Sequence, residues 1–135
     1  MKFWDSSAVV PLLFGEKDSS RLRRLVESDR EMSVWWATEL ECISAIGRRE
    51  REGAAEDRIR TALRQLALLS SSWNEIAPSP SVRDAAKRLL RVHPLREADA
   101  LQLAAATVIG GSIDFLCLDA RLRDAASREG FEVLP

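Results

Sequence analysis

Apolar residues along this chain follow two rhythms. Short, mostly uninterrupted runs appear at "KFW" (2–4), "MSVW" (32–35), around Glu75 to Ala77, at "FLCL" (115–118) and at "FEVL" (131–134). Runs of that length between turn signals predict strands. "FLCL" is apolar throughout, as a central parallel strand covered on both faces should be. Between these runs the spacing becomes helical. "SSAVVPLLF" predicts a helix with a kink at Pro11 unless the helix starts late, and "SSRLRRLVESD" spaces Leu22, Leu25 and Val26 helically after Asp18 or Ser19 as N-cap. A long helix runs from Thr38 to about Glu52, with Leu40, Ile43 and Ile46 as its apolar positions and Gly53 closing it. "AAEDRIRTALRQLALL" repeats Ile59, Leu63, Leu66 and Leu69 on one stripe. "VRDAAKRLLRV" follows. "EADALQLAAATVI" has few polar residues on any face, which implies burial on most sides, and "DARLRDAASREG" is a last helix closed by Gly130.

Short strands alternating with helices predict an α/β fold, a three-layer α/β/α sandwich around a central parallel sheet. The 135 residues suit a single domain, 1–135, with no internal linker or repeat. The order of the strands is not legible.

Composition changes this picture little. A 46% hydrophobic, 30% charged chain is ordinary for a globular protein, and no apolar run approaches the ~20 residues of a membrane span. Asp5 and the stretch Gly15 to Asp18 break the first apolar segment too early for a signal peptide, so a cytoplasmic protein is expected. Cys42 and Cys117 lack metal spacing and read as buried free thiols. His93 stands alone at a helix end and reads as a cap or surface residue. The net charge of −1 gives no nucleic-acid footprint, although three lysines stand against 17 arginines, the better residue for bidentate phosphate contacts.

The acids change it more. Two predicted strands run straight into aspartate, "KFW" into Asp5 and "FLCL" into Asp119. Binding sites of open parallel sheets form beyond the carboxyl ends of the strands. Each Asp is also a favoured helix N-cap, a job that contributes about 1 kcal/mol. Asp99 lies in the first turn of an otherwise buried helix, where Glu97 already serves the helix dipole. Glu39 and Glu41 open the long helix on different sides of it. By wheel position Glu39, beside Ile43 and Ile46, looks the more buried, and that argument leaves open which of the two matters. Carboxylates gathered at one sheet edge repel one another in a low-dielectric cleft. An all-oxygen ligand set without His or Cys suits Mg²⁺ or Mn²⁺, and the chemistry such a site suggests is metal-dependent phosphoryl hydrolysis.

These residues resemble a known family. "FWDSSAVVPLLFGE" is similar to the opening of PIN-domain ribonucleases, "TELECISAIGRRER" to their second acidic motif, "LREADALQLAAA" to their third and "FLCLDARLRDAASREGFEVL" to their fourth. All four occur in order over essentially the whole chain, which looks like the VapC toxin branch of bacterial toxin–antitoxin pairs. The register of the second motif selects Glu41, with Ala45 and Arg48, over Glu39. The resemblance implies a Mg²⁺- or Mn²⁺-dependent endoribonuclease. Its metal-binding and catalytic acids are Asp5, Glu41, Asp99 and Asp119, with Asp5 and Asp99 as direct ligands. Ser6, Ser7 and Arg96 are candidate substrate contacts. The resemblance also implies a structured RNA substrate, a homodimer, a VapB-type antitoxin lying over the active-site groove, and operator DNA bound only through that antitoxin.

Trp35 and Trp36, ahead of the second acidic helix, read as core packing, a dimer contact or an apolar wall for the antitoxin. Arg48, Arg49 and Arg51 alternate with Glu50 and Glu52 and look more like a solvated helix end than a phosphate contact. Other readings are a catalytically weak PIN-like RNA- or protein-binding module and a housekeeping RNA-processing nuclease. A receiver domain would need paired acids after the first strand and a late lysine, and the chain has only Lys2, Lys17 and Lys87. A DxD phosphatase fails because Ser7 occupies the second acid's place.

Overall fold

The computed structural model describes residues 1–17, 19–29 and 31–135, so Asp18, one of the two N-cap candidates, lies outside the described residues. Five strands and seven helices alternate. In chain order they are β1 (Lys2–Trp4), α1 (Ser6–Phe14), α2 (Ser19–Ser28), β2 (Met32–Trp35), α3 (Thr38–Arg51) and α4 (Glu56–Ser70). Then come β3 (Asn74–Ile76), α5 (Pro80–Val92), α6 (Glu97–Ile109), β4 (Asp114–Leu116), α7 (Ala120–Arg128) and β5 (Glu132–Leu134). Every predicted element is present. The strand of "FLCL" ends two residues early, which leaves Cys117 and Leu118 just beyond the sheet.

All pairings are parallel and the strand order is β3-β2-β1-β4-β5. The chain steps outward from the central β1 to β3, then returns to the other side of β1 and steps outward again to β5. The direction of winding therefore reverses between β1 and β4, where Phe3 pairs with Phe115 and Trp4 with Leu116. In open α/β sheets the crevice beyond the carboxyl ends at such a reversal is the usual ligand site.

The period-2 alternation of the strands divides the core. Trp4, Val34 and Leu116 face one layer with α1 to α4, while Phe3, Trp35 and Phe115 face the other with α5 to α7. Phe3 and Phe115 stack in register at 5.4 Å between ring centroids. α6 is buried at Ala100 and from Gln102 through Ala106, as its uniform apolarity predicts. The Pro11 run remains helical from Ser6 to Phe14. With no N–H, Pro11 leaves the Ser7 carbonyl without an intrahelical donor. Gly53 and Gly130 take positive φ beyond the ends of α3 and α7, a backbone region that favours glycine.

Two expectations need correction. Leu40 and Ile43 are exposed (60% and 43%), so α3 buries the line of Thr38, Cys42 and Ile46 instead of the predicted stripe. Leu63 is likewise exposed, and Ala62 takes its place against the core. His93 caps α5 as expected, donating its backbone N–H to Leu89 O, and is buried.

Candidate active site

Asp5 follows the last residue of β1 and caps α1, and Asp119 follows β4 and caps α7. Asp5 Oδ2 accepts from the Ser7 backbone N–H (3.0 Å), and Asp119 Oδ1 accepts from the Leu122 N–H (2.9 Å). The capping job of both aspartates is therefore real, and it occupies only one oxygen of each. The second Asp5 oxygen, Oδ1, is buried without a partner, a costly arrangement for a carboxylate.

Ser7 fixes the two aspartates relative to one another. Its hydroxyl accepts the Leu118 N–H at 2.9 Å, tying the start of α1 to the segment between β4 and α7. Asp5 N–H donates to Leu116 O at 2.9 Å, extending the β1–β4 pairing one residue beyond the strands. The Cys117 thiol lies beneath, 3.7 Å from Asp5 Oδ2. Burial pushes that thiol up to about 12, with the Asp5 charge as the next cause, so it stays protonated. Cys42, pushed to about 12 by burial as well, is a buried free thiol as expected.

Glu41 enters from α3 and Asp99 from α6. The two acids of the doublet are placed differently: Glu39 is exposed, whereas Glu41 is half-buried and held at both oxygens. Ser6 Oγ donates to Oε2 and Gln102 Nε2 to Oε1, each at 2.9 Å. The wheel misplaced Glu39 because it centred the buried face on Ile43.

The four carboxylates share one groove of about 600 Å³, lined also by Ser6, Ser7, Arg48 and Arg96. An adjoining recess of about 370 Å³ shares Arg96, Asp99 and Asp119 and adds Arg121. Burial raises the pKa of Asp5, Glu41 and Asp99 from their ordinary carboxylate values. Their neighbours add to it: the Asp99 charge acts on Asp5, Asp5 and Asp99 act on Glu41, and Asp119 acts on Asp99. Hydrogen bonds from Ser7 to Asp5 and from Ser6 and Gln102 to Glu41 work against this, as does the Arg96 charge beside Asp99. Shared repulsion, an all-oxygen donor set and the orphaned Asp5 Oδ1 fit a hard divalent cation. Among the described residues, no group of three or more His, Cys, Asp or Glu side chains is arranged to hold a metal ion. Mg²⁺ usually takes one or two carboxylates and keeps several waters, so a fit does not need three.

The groove brings together every sequence-predicted site residue. The arginines of α3 divide: Arg48 lines the groove, but Arg49 pairs with Glu16 and lies over the Phe14 ring. The tryptophans divide as well, Trp35 into the core and Trp36 to half-exposure (49%), and neither lines the groove. Three residues escaped sequence reasoning. Gln102 carried a usable signal, since it sits one turn after Asp99. Arg121 carried a weaker one, two residues after Asp119, and Cys117 had none beyond its apolar setting.

Residues 2–128 match the family model of the PIN domain. The chain belongs to the PIN domain family. PIN domains are generally nucleases. The fold of this PIN domain is similar to that of Mycobacterium tuberculosis VapC20, a sarcin-ricin loop cleaving toxin, at TM-score 0.73 and 20% identity over all of both chains. It is also similar to a toxin–antitoxin complex from Klebsiella pneumoniae (TM-score 0.65, 18% identity, 100% of this chain and 97% of that one). FitAcB from Neisseria gonorrhoeae aligns at TM-score 0.69 and 13% identity, with 100% and 97% covered. No curated protein matches the sequence. Among the described residues no helix is long and apolar enough to cross a membrane.

Proposed function

We propose that this PIN domain is a Mg²⁺- or Mn²⁺-dependent endoribonuclease, the toxin of a VapBC-type pair acting in the cytoplasm on structured RNA. The observation that carries the reading is the groove at the β1–β4 reversal. Four carboxylates from four elements line it, Asp5, Glu41 and Asp99 held above their ordinary pKa and one Asp5 oxygen buried without a partner. Asp5 and Asp99 would hold the cation directly, with Glu41 and Asp119 beside them. Once bound, a divalent ion supplies Lewis-acid polarisation of the phosphodiester and activation of a water nucleophile.

The chain's own residues do the rest. Ser7 sets the spacing of Asp5 and Asp119, and Ser6 and Gln102 hold Glu41 toward the groove. Arg48 and Arg96 sit on the rim and draw the phosphate backbone toward acids that would otherwise repel it. A homodimer and a VapB-type antitoxin complete the reading. Exposed Trp36, Leu40 and Ile43, outside the groove, offer apolar area for a protein partner.

The test is cleavage of an end-labelled structured RNA by purified protein. Cleavage is expected with Mn²⁺ or Mg²⁺, and none with EDTA. Undiminished cleavage in EDTA, or no cleavage of any RNA with either ion, overturns the assignment.

A further inference from the structure

Gln102 is wholly buried on α6, behind the groove wall and not among the residues that line it. A primary amide brings two N–H donors and a carbonyl acceptor into the core. Its nitrogen uses both hydrogens, one to Thr38 Oγ1 at 3.1 Å and one to Glu41 Oε1 at 2.9 Å. Its own oxygen is left buried without a partner. The reverse amide orientation would turn that carbonyl onto the Glu41 carboxylate, so the charge of Glu41 fixes which way the amide lies.

An orphaned buried carbonyl costs about 1–3 kcal/mol, and an apolar side chain of similar shape would avoid that cost. Core filling therefore gives no reason for an amide at this position. The contact with Glu41 does. Glu41 is raised first by burial and then by the charges of Asp5 and Asp99, with the bonds from Ser6 and Gln102 opposing them. Without a donor at each oxygen the carboxylate has little to hold it against two like charges.

We propose that Gln102 is a positioning residue for Glu41, its buried amide aiming the carboxylate into the groove with Thr38 aligning the amide and Ser6 holding the other oxygen. Asp99 and Gln102 lie one turn apart on α6, so a single helix presents one acid of the groove and orients another. Glu39, exposed on the same helix as Glu41, receives no such contact among the described residues. The proposal rests on the metal-dependent reading of the groove.

The test is Gln102→Met, alone and combined with Glu41→Gln, read by calorimetric Mn²⁺ titration, thermal unfolding and RNA cleavage. Gln102→Met is expected to weaken Mn²⁺ binding and cleavage by about 10–100-fold, as loss of a group that orients a metal ligand does, while unfolding as late as wild type or later. Thr38→Val, which leaves the Glu41 contact in place, is expected to lose less. In the Glu41→Gln background Gln102→Met is expected to add no further loss, because it acts through Glu41. Unchanged Mn²⁺ affinity in Gln102→Met, or losses that multiply in the double variant, overturns the positioning role and leaves the nuclease reading intact. A wild-type protein that binds no Mn²⁺ and cleaves no RNA overturns both.

Discussion

Two acidic sites in this molecule have opposite electrostatics. In the groove, Asp5, Glu41 and Asp99 are pushed up by burial and by neighbouring carboxylates, with Arg96 the opposing cation among the described residues. On the far layer, Glu129 at the end of α7 meets a fork of donors from α5. Arg88 donates to both its oxygens (3.2 and 2.8 Å), and His93 Nε2 lies 2.6 Å from Oε1. The Arg88 bond, followed by His93, holds Glu129 below its ordinary value. An acid that ties two helices together is surrounded by donors. In the groove, Asp5 keeps one oxygen buried without a donor, a deficit that a cation can fill. Carboxylates pushed in opposite directions this way are what the proposed nuclease reading sets apart.

The comparison breaks most visibly at Asp5. Asp5→Asn and Asp99→Asn are expected to lower RNA cleavage by about 10³-fold or more, and Glu129→Gln to leave it within about two-fold. A single-turnover assay checks all three. Next in size is the doublet. Glu41→Gln is expected to lose about 10²-fold and Glu39→Gln almost nothing, and the reverse order means the wrong glutamate was chosen. Arg96→Gln is expected to have a smaller effect, weakening RNA binding by an Asp5→Asn protein. The slope of log K against log[salt] should flatten by about 0.7 for single-stranded RNA. A slope identical to that of the parent argues against a phosphate contact.

The smallest effects are on stability, and they have opposite signs. Groups raised on folding contribute stability below the carboxylate range and lose it as pH rises through their raised values. Glu129, lowered on folding, contributes above its ordinary value of 4.5 and loses the contribution as pH falls through the lowered one. For metal-free protein near neutral pH, Asp5→Asn should therefore unfold later than wild type. Glu129→Gln should unfold earlier, by about 1 kcal/mol. The Asp5→Asn difference should shrink as pH falls through the raised Asp5 value, and the Glu129→Gln difference only below 4.5. Thermal unfolding across that pH range checks the signs, and a Glu129→Gln deficit that grows in acid contradicts them.

The groove was more legible in the sequence than the surfaces around it. Asp5 and Asp119 each follow an apolar run directly, so their position at strand ends was readable from local order. That they sit side by side was not, because adjacency depends on β4 inserting next to β1, a long-range pairing no local pattern records. Glu41 shows the same division. Its motif register pointed to the glutamate that lines the groove, but helical spacing favoured Glu39, because the buried face of α3 is set by what α4 and α6 cover rather than by where the largest apolar residues lie. Leu40 and Ile43 are large, apolar and exposed for that reason. Gln102 was visible as a polar residue in a buried helix. Its partner lies 61 positions away and appears only once α3 and α6 are packed.

The most direct test of the central claim sets the two sites side by side in one titration. Mn²⁺ added to metal-free wild type and to Glu129→Gln should raise both unfolding temperatures equally, by an amount that grows with the logarithm of ion concentration above the Kd. The same titration of Asp5→Asn should produce little or no rise. An equal rise in Asp5→Asn would contradict the account, because the stabilising ion would then be bound somewhere other than the groove at the β1–β4 reversal.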